Sequence, residues 1–302
     1  FLPGCRQQEQ AIRLQQRLIK NRDALKTLDR YWNGFKRRAR QNHCRWKYLR
    51  SPKAPALMNM MHLTVFFDYE GKYSRPDQEK NSAKGLEYIL DTLERAGITA
   101  TFNCVGRLID DQRDTLEQIK RSGHEIASHT VAHTPVGNWT QRRMADDIEE
   151  FQRLLQPIAN PVAGFRPPQS KWRFQTLKGL LKSGIIWDAA DDPAPFPYVI
   201  LQKGGRRLWR MPTGIDDWNF EKNNTAPAVM LDSWCATVRS AIQKRKYVAV
   251  GFHPWVLGKD NARLAAFSGF VDWLSKLDNV VIAPFGEIAR RCESEVMGQK
   301  SS

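Results

Sequence analysis

From residue 62 onward, short apolar runs alternate with longer amphipathic stretches, and this alternation narrows the possible folds sharply. Runs at 62–68, 99–104, 124–128, 162–165, 185–188, 208–211, 247–252 and 279–283 have the length and the aromatic or β-branched content of buried strands. Segments at 82–96, 112–121, 141–155, 173–182, 227–245 and 262–277 carry helical periodicity. Strands separated by helices predict an α/β fold on a parallel sheet or barrel. Polar residues recur just past the strand ends: Asp68, His129, Arg166, Asp188 and His253. In a β/α barrel that edge holds the chemistry.

His129 and His133 stand four apart in Gly-His-Glu-Ile-Ala-Ser-His-Thr-Val-Ala-His (123–133). On a helical turn this spacing puts two imidazoles on one face, which is metal-ligand spacing. Ser128 and Thr130 are placed to hold the adjoining backbone. His124 falls on the opposite face and is expected to pack structurally. Upstream, the run Val-Phe-Phe-Asp-Tyr-Glu-Gly (65–71) ends in two carboxylates, and strand alternation points Asp68 and Glu70 the same way. Two like charges beside Phe66 and Phe67 repel unless a cation lies between them.

Three further strand ends carry candidates. Arg166 precedes Pro167 and Pro168, which stiffen the backbone, so its guanidinium is suited to orient Asp68. His253 ends an apolar run in Val-Ala-Val-Gly-Phe-His-Pro-Trp (248–255), as either a packed core histidine or a general acid. Asp188 ends Gly-Ile-Ile-Trp (184–187) and is the candidate to support that histidine, with Asp191 and Asp192 competing at the same loop. Trp139, Trp172, Trp209, Trp218 and Trp255 fall in or near expected loops, where each is either a platform for a sugar ring or core.

The formal net charge of +15 is lopsided. Residues 1–55 hold 15 Lys/Arg against 3 Asp/Glu, and the remainder 32 against 29. A nearly neutral body argues against nucleic acid as the partner, although 36–40 (Lys-Arg-Arg-Ala-Arg) is basic. Residues 1–55 read as a basic helical arm ending in a Ser-Pro-Lys-Ala-Pro linker, with 56–302 as the main domain. The arm is expected either to pack its apolar stripe on the body or to meet a partner protein or an anionic membrane surface. Five scattered cysteines with no Cys-x-x-Cys pair argue against a structural zinc site. No apolar run approaches the ~18–20 residues of a membrane span. Leu-Pro-Gly-Cys at 2–5 resembles the end of a lipoprotein signal with Cys5 lipidated; an incidental cysteine is the alternative.

Taken in order, these segments resemble the polysaccharide deacetylase family, the NodB-homology carbohydrate esterases. The resemblance runs through residues 65–71, 99–106 (Thr-Ala-Thr-Phe-Asn-Cys-Val-Gly), 123–133, 164–168 (Gly-Phe-Arg-Pro-Pro), 184–190 and 252–255, and covers roughly 62–290. It implies a distorted (β/α) barrel of the NodB-homology type and a divalent metal in an open cleft, with hydrolysis of N-acetyl or O-acetyl groups on a glycan. Carried over residue by residue, His129 and His133 bind the metal, Asp68 is the base, His253 the acid and Arg166 the residue that orients the base.

One position departs from the commonest pattern: Tyr69 stands where a second Asp would bind the metal. The Asp-x-Glu branch, which strand geometry favours, assigns that ligand to Glu70. The expected metal is zinc, with cobalt, nickel or manganese sharing the same donors. A cell-envelope or periplasmic location is expected, with the cytoplasm as alternative. Two other readings remain: a non-catalytic glycan-binding envelope protein on this fold, and a deformylase or deacetylase of a lipid-linked sugar.

Overall fold

The computed structural model describes residues 60–159 and 161–298. The expected basic arm, its linker and Cys5 lie outside the described residues.

Ten strands form one sheet: β1 (Met61–Tyr69), β2 (Thr101–Cys104), β3 (Glu125–Ser128), β4 (Gly164–Phe165), β5 (Trp187–Asp191), β6 (Tyr198–Lys203), β7 (Arg206–Thr213), β8 (Ile215–Asp216), β9 (Val248–Phe252) and β10 (Val280–Ile282). Their order is β6-β7-β5-β4-β3-β2-β1-β9-β8, with β10 paired to the start of β1. All pairings are parallel except β6 with β7. β7 pairs with β5, and after Gly214 the same stretch of chain continues as β8 and pairs with β9. One segment therefore bridges the two ends of the parallel sheet and curls it into a distorted (β/α) barrel. Helices Glu79–Ala96, Arg113–Arg121, Gln141–Leu155, Phe174–Lys182, Pro227–Gln243 and Asn261–Leu274 surround it.

β1 is buried along nearly its whole length, because a parallel strand is covered by the barrel interior on one face and by helices on the other. Phe66, Ala127, Trp187, Ala189, Trp209 and Met211 fill the interior with Phe285. Two glycines make room for these rings. A Cβ on Gly251 would sit 2.2 Å from the Phe66 ring, and one on Gly164 would sit 1.8 Å from that of Trp187. At the amino-terminal end of the strands, the half-buried Glu125 accepts from Thr101 Oγ1 (2.8 Å), Gly286 N (2.9 Å) and Trp187 Nε1 (3.2 Å). Three donors offset the loss of water around this carboxylate.

The expected strands and helices are present with shifted ends. Not expected from the sequence were β6, the two-residue β8, the short helices Leu108–Asp111, Trp218–Lys222 and Pro254–Leu257, and helix Phe285–Gly298. Helix Glu79–Ala96 meets the short helix Pro254–Leu257 backbone to backbone. A Cβ on Gly85 would lie 1.9 Å from the Pro254 carbonyl oxygen, and one on Gly258 would lie 1.9 Å from that of Asn81. This contact fixes the segment that begins at His253.

Candidate active site

The carboxyl ends of β1, β3 and β9, with the segment after β4, deliver five of the expected residues to one buried cluster: Asp68, His129, Arg166, His253 and, one residue past β1, Glu70. His133 joins them from the loop after β3. Glu70, His129 and His133 each offer a ligand atom within 4.8 Å of the others. Nε2 of His133 lies 2.8 Å and Nε2 of His129 3.6 Å from the same Glu70 oxygen, Oε1. Nδ1 of His129 lies 2.8 Å from the carbonyl oxygen of Arg166. That contact selects the tautomer with hydrogen on Nδ1 and leaves the Nε2 lone pair facing the cluster.

Burial by itself would raise the Glu70 pKa, but the imidazoles of His129 and His133 beside it and the charge of His253 hold it well below the usual carboxylate range. The site is thus built to keep a buried anion ionised. Two imidazole nitrogens and one carboxylate, with the tautomer of His129 set, form a donor set that fits a divalent transition metal and leaves coordination positions open.

The two histidines do not share a helical face as expected. Residues 129–134 form a loop in which Thr130 and His133 take φ of 64° and 53°. The left-handed turn, not an i, i+4 helix, swings His133 back toward His129 and puts their rings 5.1 Å apart. Thr130 Oγ1 accepts from Thr134 N (2.9 Å), and the Asp147 carboxylate accepts from Val131 N (3.2 and 3.3 Å). Ser128, also expected to hold this backbone, has a buried hydroxyl with no hydrogen bond among the described residues. His124 packs structurally as expected. It is buried, with Nδ1 accepting from Ala100 N (3.3 Å) and its ring 5.2 Å from that of Phe102.

Asp68 is gripped from two sides. Nε of Arg166 lies 2.9 and 2.8 Å from its two oxygens, and Asn103 Nδ2, opposite it on β2, donates to Oδ1 at 2.9 Å. Burial raises its pKa, but Arg166, His129 and His253 outweigh that and keep it lowered. Arg166 is held in turn by Thr213 Oγ1 (3.2 Å) and Asp216 Oδ2 (3.6 Å), over the Phe66 ring at 4.7 Å. Thr213 donates onward to Asp191 (3.0 Å), which places that acid behind Arg166 and not beside the histidine.

Nε2 of His253 stands 3.8 Å from Asp68 Oδ2 and 3.9 Å from Glu70 Oε1. Its other nitrogen, Nδ1, lies 2.6 Å from Asp217 Oδ1, and its backbone N–H donates to Asp217 Oδ2 at 2.8 Å. Burial disfavours the imidazolium, but Asp217, joined by Glu70 and Asp68, pushes the His253 pKa up to about 10.

Asp188 was expected in that supporting position, and the structure corrects this. Trp187 and Ala189 point into the barrel, so strand alternation turns Asp188 outward. There it pairs with Arg210 (2.8 and 3.1 Å), its neighbour across β7, whose guanidinium stacks on Trp172 at 4.3 Å. Asp192 lies 3.8 Å from the same arginine. Sequence reasoning missed Asp216, Asp217, Asn103 and Thr213. The signal for the first two was present in Ile-Asp-Asp-Trp (215–218), two acids just past a strand-like run, as at Asp68. Of the five tryptophans considered as platforms, Trp139, Trp209 and Trp255 are buried, and Trp218 is 40% exposed.

Residues 70–185 match the family model described as polysaccharide deacetylase. A peptidoglycan-N-acetylglucosamine deacetylase of Bacillus cereus is 26% identical over 108 residues, 35% of this chain and 51% of the relative. A chitooligosaccharide deacetylase of Rhizobium leguminosarum is 32% identical over 94 residues, 30% of this chain and 41% of the relative. The chain thus spans about half the length of the curated relatives it matches. A solved structure from Mycobacterium smegmatis that carries the polysaccharide deacetylase name superposes with a TM-score of 0.74 at 21% identity, over 82% of this chain and 96% of that one. At that identity the likeness concerns the fold.

Proposed function

We propose, from the match of residues 70–185 to the polysaccharide deacetylase model, that this chain is a metal-dependent hydrolase removing N-acetyl groups from an envelope or extracellular glycan. The observation that carries the proposal is the meeting of Glu70, His129 and His133 beside Asp68 and His253. Tyr69 does not weaken it. Its hydroxyl is turned to Gln112, and the acid of the cluster is Glu70. Two buried carboxylates kept ionised and facing three imidazoles are a concentration of perturbed groups that supports a catalytic reading.

Glu70, His129 and His133 would hold a divalent ion, zinc by preference for this donor set. Such an ion polarises the acetamide carbonyl and lowers the pKa of a water molecule. Asp68, kept ionised and oriented by Arg166 and Asn103, accepts the proton of the attacking water. His253, kept protonated by Asp217, gives a proton to the sugar nitrogen as the C–N bond breaks. Acetate and a free amino sugar are the products. Asp68 and His253 stand close enough to serve a single tetrahedral carbon from two sides.

An envelope location accords with relatives named for peptidoglycan. Among the described residues no helix is long and apolar enough to cross a membrane. The basic segment 1–55 would supply attraction to an anionic membrane surface or a partner protein.

The test is acetate release from N-acetylglucosamine oligomers by protein whose metal content is measured in the same sample. Chelation should abolish release and added zinc should restore it. Full activity from metal-free protein would rule out the mechanism.

A further inference from the structure

Beside His253 the rim of the site carries an aromatic and cationic cluster that the hydrolysis itself does not use. Trp218 is exposed, and its backbone N–H donates to Asp216, which also contacts Arg166. Its ring lies 6.1 Å from that of Trp255, edge-on at 68°, and the Trp255 ring lies 6.1 Å from that of His253. The Arg75 guanidinium sits over both indoles, 5.8 Å from the Trp218 centroid and 5.5 Å from that of Trp255.

The charges around this cluster are unevenly balanced. Lys72 is paired with Asp111 at 2.9 Å, and Lys259 and Arg263 are both paired with Glu221. Among the described residues, no carboxylate lies within the 4.0 Å ion-pair distance of Arg75. Asp77, two residues along, accepts instead from Gln78 at 2.6 Å. Lys259 Nζ, 5.2 Å from the Trp255 centroid, adds a second cation to the same ring. An indole platform alone suffices for a neutral pyranose. A guanidinium held over that platform keeps its planar fork of N–H donors free, which suits bidentate capture of an oxyanion.

Resting on the deacetylase reading, we propose that Arg75 and Trp218 form a subsite for an acidic substituent, a carboxylate or a phosphate, on the sugar next to the acetylated unit. The substrate would then be an anionic glycan rather than a plain N-acetylglucosamine polymer. The structural alternative is that Arg75 merely packs on the two indoles.

Three acetylated probes of equal length separate the two: a neutral N-acetylglucosamine oligomer, an oligomer alternating N-acetylglucosamine with a uronic acid, and a phosphorylated N-acetylglucosamine oligomer. We expect kcat/KM for at least one acidic probe to exceed that for the neutral one by ~10-fold or more, as a charge-assisted hydrogen bond gives. The preferred arm names the anion. Arg75→Met, which keeps the stem and drops the fork, should lower that acidic-to-neutral ratio by a similar factor, and Arg75→Lys should restore it only in part.

Binding read by tryptophan fluorescence in the full chain carrying Asp68→Asn gives a measure that does not depend on turnover. Charge-selective binding without acetate release from any probe would sink the deacetylase reading and keep the subsite. Acetate release with equal kcat/KM for acidic and neutral probes, a ratio unmoved by Arg75→Met, or no binding preference would overturn the subsite and leave the hydrolase standing.

Discussion

The Asp217 carboxylate lies 2.6 Å from Nδ1 of His253 and accepts that residue's backbone N–H at 2.8 Å. Both oxygens are engaged, so the imidazole is fixed in orientation and in protonation by one buried acid. Asp217→Asn keeps the shape and removes the charge. We expect kcat to fall by ~100-fold or more, the lower range for losing a general acid. The His253 pKa should drop as well, because the charge that raises it is gone. The alkaline limb of the kcat/KM profile should therefore move to lower pH. An unchanged profile would remove Asp217 from this role.

Asp188 should behave in the opposite way. It and Arg210 are completely buried and bonded to each other on the outer face of the barrel. Breaking such a pair leaves an uncompensated charge and costs roughly 3–5 kcal/mol. Asp188→Asn is expected to lower the melting temperature clearly, while the protein that remains folded keeps a kcat close to that of the parent. Melting curves set beside kcat per folded molecule distinguish the two effects.

Gly85→Ala links packing to chemistry. The added methyl would sit 1.9 Å from the Pro254 carbonyl oxygen, which belongs to backbone and cannot rotate away. Helix Pro254–Leu257 must shift, and His253 immediately precedes it. Overpacking of this kind costs about 1–3 kcal/mol. We expect both a lower midpoint in denaturant and a loss of kcat larger than the loss of metal content. Equal stability to the parent would show that the contact is looser than described.

His124 gives a pH dependence far from the reacting groups. Burial lowers its pKa from 6.5 to about 4, and its Nδ1 accepts the Ala100 N–H. A protonated Nδ1 can no longer accept. The unfolded chain therefore binds this proton more readily than the folded one, so the stabilisation is present in full above pH 6.5. It is lost as pH falls from 6.5 to about 4, to a total of about 3 kcal/mol. Denaturant midpoints should fall across that window, and His124→Gln should flatten that part of the curve. A parent protein equally stable at pH 7 and pH 4 would contradict this.

The alternation of strands and helices was legible because parallel strands buried on both faces leave continuous apolar runs, as in 62–68 and 247–252. Asp68, Glu70, His129, Arg166 and His253 could be read from the same sequence because each lies at or just past the end of such a run. Asp188 met that test and still misled, since the decisive fact was the face it shares with Arg210 and not its place in the run. β8 is too short, at two residues, to show strand alternation, and only the acids at its end were legible. The hairpin between β6 and β7 did leave one, Gly204-Gly205 between two β-rich runs, with φ of 57° and 78° in the structure. The return of His133 toward His129 depends on backbone angles that no side-chain periodicity encodes.

The passage from β7 to β8 at Gly214 has a consequence for when this protein becomes competent. The stretch that seals the ring by leaving β5 and joining β9 also carries Thr213, Asp216 and Asp217 to their places. Sealing and arming are thus a single event. While that seam is open, Arg166 lacks Thr213 and Asp216, and His253 lacks the carboxylate that raises its pKa.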